Sequence, residues 1–220
     1  LKDSERVQRG MAFVYKKLSR KIKVVVTCKH NFIKHSFEDF EFFLGGKKNP
    51  LSVISPPFYH PNKSHDIVFF IVQDLRRYQT AEFILKSKIS HPYNGQTLYN
   101  SKCDFNPDIP NFPFYVMCQQ TYEPNMCWGV KEFETKGESV KPENEIRKNE
   151  LIEKGYVIYP SIGMRSVVGC SGSPIFDSDL NLYGMNVRGI DGRDELIYVP
   201  VSEINNIYSK FLPEIKKYSI

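Results

Sequence analysis

Three residues of this 220-residue chain have the types needed to attack a carbonyl, and each borders an apolar run. Gly169-Cys-Ser171-Gly-Ser-Pro174 places a serine between two glycines and then enters a strand. A serine hydroxyl is a weak nucleophile, so the chain must also supply a base, an orienting acid and oxyanion donors. Lys23-Val-Val-Val-Thr-Cys-Lys-His30 ends an apolar strand with a histidine at its exit, where the ring enters a cleft while its backbone stays anchored. Ser64-His-Asp66-Ile-Val-Phe-Phe-Ile-Val72 sets Asp66 directly before a fully apolar strand. A carboxylate there is costly unless it is paired, and an imidazole N–H is a suitable partner. Gly169 and Gly172 reach backbone conformations closed to other residues. They let the N–H groups of Gly169 and Ser171 face one point, as an oxyanion hole requires. Taken singly, each element has a plainer reading: a surface histidine, a turn aspartate at a strand start, a polar loop. The three in the order His, Asp, Ser are far more specific.

The elements that must position these residues read as short strands. They are Met11–Tyr15, Ile22–Thr27, Phe40–Leu44, Ile67–Val72, Phe112–Met117, Tyr156–Tyr159, Ser173–Phe176, Leu182–Val187 and Leu196–Val199. Turn formers such as Gly45-Gly46, Pro56-Pro57, Asn94-Gly95 and Asp191-Gly192 separate them. Many short strands without intervening helical patterns predict an all-β sandwich or barrel. The basic run Lys16–Lys21 reads as a solvated hairpin tip, and residues 131–154 as a charged, exposed loop with a helical stretch from Glu143 to Lys154. A Pro- and Asn-rich break at 100–112 divides the chain. The expected units are residues 1–100 carrying His30 and Asp66, residues 112–201 carrying Ser171, and a C-terminal helix over 202–218. Ser202 is the expected N-cap of that helix, and Ile204, Ile207, Tyr208 and Phe211 recur at helical spacing.

Composition removes several classes of function. Apolar residues at 41% fill a core, and charged residues at 25% suit a soluble surface. The net charge of +5, with no base-reading motif, gives no argument for nucleic acid. No apolar run approaches the roughly 20 residues that span a bilayer. The N-terminal Leu1-Lys-Asp-Ser-Glu-Arg-Val-Gln-Arg-Gly10 lacks the apolar centre of a signal peptide. The chain begins at Leu1, so a fragment or a processed form with a removed leader stays open. Five cysteines form an odd set without a Cys-x-x-Cys pair, which argues against a disulfide framework or a zinc site. Free thiols in a reducing compartment, hence a cytoplasmic location, are expected.

Thr27-Cys-Lys-His30, His65-Asp66-Ile-Val and Gly169-Cys-Ser171-Gly-Ser-Pro174 together resemble the three signatures of chymotrypsin-fold serine peptidases. Arg9-Gly-Met-Ala-Phe-Val14 is similar to the family's opening strand, and Leu182–Gly189 to the strand lining its cleft. Tyr198-Val-Pro-Val-Ser202 before a helix is similar to the ending of bacterial and HtrA-type members. The chain order also separates this family from α/β-hydrolases (Ser, Asp, His) and subtilisins (Asp, His, Ser). The resemblance covers the first 75 residues and the last 65 or so. It implies two packed antiparallel β-barrels, perpendicular and six-stranded, with a His30–Asp66–Ser171 triad in the cleft between them. It further implies peptide-bond hydrolysis through an acyl-enzyme, an oxyanion hole from Gly169 and Ser171, a peptide or protein substrate, and no metal or cofactor.

Two departures from the family pattern carry consequences. Animal trypsin-like zymogens have an aspartate just before the serine, where a liberated N-terminus pairs; here that residue is Cys170. A neutral thiol cannot hold a buried ammonium, so control, if present, falls to loops or a regulatory protein partner. Cys170 is one residue out of register for a nucleophile and reads as a packed thiol. On the family alignment Arg165 and Ser166 approach the base of the specificity pocket, with Asn186, Val187, Arg188 and Gly189 along its walls. The arginines, and the Gly-x-Ser-Gly-Ser-Pro motif, resemble glutamate-specific relatives and suggest an acidic or polar P1 residue. The alternatives are a viral-type processing peptidase and a catalytically silent fold that acts as a binding module.

Overall fold

The computed structural model describes residues 10–32, 36–42, 50–73, 114–121, 126–133, 159, 161–162, 169–176, 181–189 and 196–219. A first antiparallel sheet comes from the N-terminal half: β1 (Ala12–Lys17), β2 (Ile22–Thr27), β3 (Ser52–Val53), β4 (Phe58–Tyr59) and β5 (Val68–Gln73). Its order is β1-β2-β5-β3, and β4 also pairs with β5. The basic run turns as expected. Leu18 and Ser19 donate their N–H groups to the Ile22 carbonyl. The Ser19 hydroxyl oxygen in turn accepts from the N–H groups of Lys21 and Ile22.

Continuous apolar runs in β2 and β5 follow from burial on both faces. Side chains alternate across a strand, so Val24, Val26, Phe69 and Ile71 enter one core cluster. Val25, Val68, Phe70 and Val72 enter another, with Phe32 and Phe37. A strand is expected over Phe40–Leu44, yet Phe40 to Phe42 lie outside any strand. Their rings pack against aromatic neighbours instead: Phe40 on Phe32 at 4.8 Å between centroids, Phe42 on Phe70 at 4.4 Å. Burial of the aromatic faces, without a ladder, accounts for that apolar run.

The second sheet contains β6 (Phe114–Thr121), β7 (Met126–Phe133), β8 (Ser161–Ile162), β9 (Pro174–Phe176), β10 (Leu182–Gly189) and β11 (Leu196–Pro200). Its order is β7-β6-β9-β10-β11-β8. β7 thus takes Lys131 to Phe133 from the segment expected as a loop, while Glu143–Lys154 and the break at 100–112 lie outside the described residues. Two closed barrels are expected from the sequence; among the described residues both ladders are open, so the architecture is two antiparallel sheets and a helix.

The helix α1 runs Val201–Lys216 rather than 202–218. Pro200, at φ −61° and ψ 149°, is the N-cap, and Ser202 falls inside the first turn. Proline already has the φ of a helix start and has no N–H to satisfy, which moves the boundary back. After Lys216 the N–H groups of Lys217, Tyr218 and Ser219 bond to carbonyls three residues earlier, a tightened end. Ile204, Ile207, Tyr208 and Ile215 join the same cluster as Phe13, Val24 and Ile71 of the first sheet and Leu182, Met185 and Val199 of the second. The helix therefore fastens both sheets. Ile204 is fully buried in that cluster. Ile204→Ala is expected to destabilise the fold by about 3 kcal/mol, read as a lower denaturation midpoint with an unchanged slope.

Candidate active site

His30 belongs to a single 3₁₀ turn, Lys29–Phe32, that follows directly on β2. The turn is pinned at both ends: Asn31 N–H donates to the Cys28 carbonyl at 3.3 Å, and Phe32 is buried among aromatic rings. Between these anchors His30 is one third exposed, at 33%, while Asp66 is 22% exposed. Both carboxylate oxygens of Asp66 meet His30. Oδ1 accepts the His30 backbone N–H at 2.8 Å, and Oδ2 lies 2.6 Å from ring Nδ1. A carboxylate only accepts, so Nδ1 carries the ring hydrogen and Nε2 is left as the basic nitrogen. Holding backbone and ring together removes the freedom of the imidazole to turn away.

Gly169 (φ +88°) and Gly172 (φ +91°) give the serine turn its shape. Three hydrogen bonds hold it to β10 and a fourth closes the turn on itself. Gly172 N–H donates to the Asn186 carbonyl at 2.8 Å, Asn186 N–H to the Ser173 carbonyl at 2.8 Å, and Ser173 N–H to the Cys170 carbonyl at 3.0 Å. The Asn186 side-chain amide also donates to the Cys170 carbonyl, at 3.1 Å. The amides of Gly172 and Ser173 are committed this way and are not available to an oxyanion.

Across the seam, the Ser171 carbonyl accepts from Met11 N–H at 2.9 Å and from Asn31 Nδ2 at 3.3 Å. Asn31 Nδ2 also donates to Thr27 Oγ1 at 3.0 Å, and the Thr27 hydroxyl donates to the Met11 carbonyl. Cys28 Sγ donates to the Asn186 carbonyl at 3.3 Å. Ser171 is therefore tied through its backbone to the residue next after His30.

The remaining site residues divide by burial. Asn186 is fully buried and holds the serine turn; Val187 is buried, whereas Arg188 is exposed and Gly189 partly so. Arg165 and Ser166 lie outside the described residues. Cys170 is a fully buried thiol that forms no disulfide. Sequence reasoning missed Asn31, Thr27, Met11 and Tyr159 as neighbours of the site. None of them leaves a signal in the sequence; the carbonyl that Asn31 meets, for one, is 140 residues away.

Cys28, His30 and Asp66 present donor atoms within 4.8 Å of one another. The arrangement suits hydrogen bonding better than coordination. Burial pushes the Cys28 thiol well above its ordinary range, with nearby Asp66 adding to the effect, so sulfur keeps its proton. A metal ligand must lose it. His30 and Asp66 are meanwhile joined to each other.

No protein-family profile and no curated protein matches the chain. Solved structures do. The active form of the Rv3671c protease from M. tuberculosis is 16% identical, covers 94% of this chain and 74% of its own, and superposes with a TM-score of 0.53. An inactive form of the Rv3671c protease is 14% identical over 91% of this chain and 82% of its own, with a TM-score of 0.52. At such identities the likeness is one of fold. The chain has a β-rich, chymotrypsin-like fold.

Proposed function

We propose that the chain is a serine endopeptidase acting through His30, Asp66 and Ser171. The observation that carries this reading is the two-point grip of Asp66 on His30, which presets the imidazole as a base. Ser171 Oγ attacks the scissile carbonyl carbon while His30 Nε2 takes its proton. The tetrahedral oxyanion is held by Gly169 and Ser171 N–H groups, and His30 returns the proton to the leaving amine. Water then releases the acyl group by the same steps. Asp66 supports the positive imidazolium between them. Exposed Arg188, at the end of β10, favours an acidic or polar P1 side chain.

Intact-mass measurement after exposure to a fluorophosphonate tests the reading. One adduct per chain is expected, mapping on digestion to the peptide that contains Ser171. No adduct on a folded chain would favour the alternative, a binding module on a protease scaffold or an enzyme that waits for a partner. A P1-scanned peptide library preferring lysine or arginine would overturn the specificity.

A further inference from the structure

Asp66 has a second anchor, supplied from the other half of the chain. Its backbone N–H donates to the hydroxyl oxygen of Tyr159 at 2.9 Å, across 93 residues of sequence. Asp66 precedes β5, which begins at Val68, so its N–H has no place in that strand's ladder. Tyr159 stands just before β8, the edge strand paired with β11 in the second sheet. Its ring is partly buried against the shared core cluster. Burial pushes the phenol well above its ordinary range, so the oxygen meets Asp66 as a neutral hydroxyl. The carboxylate of Asp66 is thus set by His30, and the peptide unit bearing it is set by Tyr159.

We propose that Tyr159 is a positioning residue for Asp66, so that alignment of the His30–Asp66 pair depends on its hydroxyl. This rests on the peptidase reading of the site. A ring that merely fills the core would serve equally well without its oxygen. Without the hydroxyl, a part-buried N–H loses its partner and Asp66 shifts to find another, which carries its carboxylate off Nδ1.

Tyr159→Phe keeps the ring and removes the oxygen. Its expected effect is an about tenfold slower fluorophosphonate reaction and kcat, with KM unchanged. In an Asp66→Ala background the same change is expected to do nothing further, because its effect passes through Asp66. Nitrogen-15 NMR of the His30 ring in the folded protein gives a readout independent of activity. The Nδ1–H signal of the native chain should weaken in Tyr159→Phe, and the Asp66 amide should exchange faster with solvent. An unchanged His30 signal, or an equal loss of rate in the Asp66→Ala background, overturns the proposal. If the native chain itself fails to react, the peptidase reading falls and the NMR comparison alone decides the role of Tyr159.

Discussion

Ser171→Ala and His30→Ala are each expected to lower kcat on a cleavable peptide by about 10⁶, and the double variant no further. Nucleophile and base act as one unit: without its base the hydroxyl keeps its proton, and without the hydroxyl the base has nothing to activate. Asp66→Asn should cost less, about 10⁴, for a reason visible in the contacts. Asp66 accepts two N–H groups from His30, one from the backbone and one from the ring. An asparagine has one oxygen and one amide nitrogen for the same two places. If the oxygen stays on the backbone N–H, the amide faces Nδ1 and donates to it, so the ring hydrogen moves to Nε2. That tautomer cannot take the serine proton. KM should change little throughout, since none of these groups is asked to hold the distant parts of a peptide. Steady-state kinetics on the purified single and double variants check the series. Additive losses would mean that Ser171 and His30 work separately, and the triad reading would fail.

The pairing of His30 with Asp66 is legible in the sequence because both residues terminate apolar runs that cannot lie far apart. β2 and β5 are neighbouring strands in register from Ile22↔Gln73 to Thr27↔Val68, so residues just past Thr27 and just before Val68 must meet at one end of the sheet. The serine turn is legible for another reason: two glycines flanking Cys170-Ser171 suit positive φ, and both have it. What holds that turn to the first sheet is not legible. Met11, Thr27 and Asn31 act through a backbone amide, a hydroxyl and a side-chain amide. Such groups occur throughout any chain, and only their placement gives them a role. Tyr159 is hidden similarly, since Tyr156–Tyr159 looks apolar enough for a strand and its hydroxyl makes no pattern with its neighbours.

The helix and the aromatic segment mark the limits of periodicity. Spacing finds α1 because its apolar face recurs every three or four residues, but the spacing carries no information on which residue starts the turn. Pro200 decides that. Phe40 and Phe42 satisfy the composition of a strand while packing as rings in an aromatic cluster with Phe32, Phe37 and Phe70. Burial and ladder formation favour the same residue types, so the two are separated only by what lies opposite. Asn186 shows the same ambiguity within the site. Its position on β10 fits the wall of a cleft, and its hydrogen bonds fix the serine turn from behind.

Gly172→Ala should disconnect the serine turn from the base while leaving both sheets folded. A Cβ at Gly172 would stand 1.9 Å from the Met11 carbonyl oxygen and 2.4 Å from Thr27 Oγ1. The nearer contact is backbone, so no side-chain rotation relieves it. Met11 also donates its N–H to the Ser171 carbonyl, so moving Met11 aside pulls on the turn it is meant to hold. The residue's φ of +91° adds strain of roughly 1–2 kcal/mol for any side chain. Gly169→Ala is the matched comparison: φ is +88°, but nothing lies within 4 Å of the added carbon. It carries the strain without the collision. The fluorophosphonate reaction should slow by about 100-fold or more in Gly172→Ala, equivalent to about 2.7 kcal/mol or above, and distinctly less in Gly169→Ala. Circular dichroism should report native strand content in both. Equal losses in the two variants would place the sensitivity in turn conformation alone. A larger loss at Gly172 would locate it in the seam, where one glycine lets the N-terminal strand approach the serine turn closely enough to hold it.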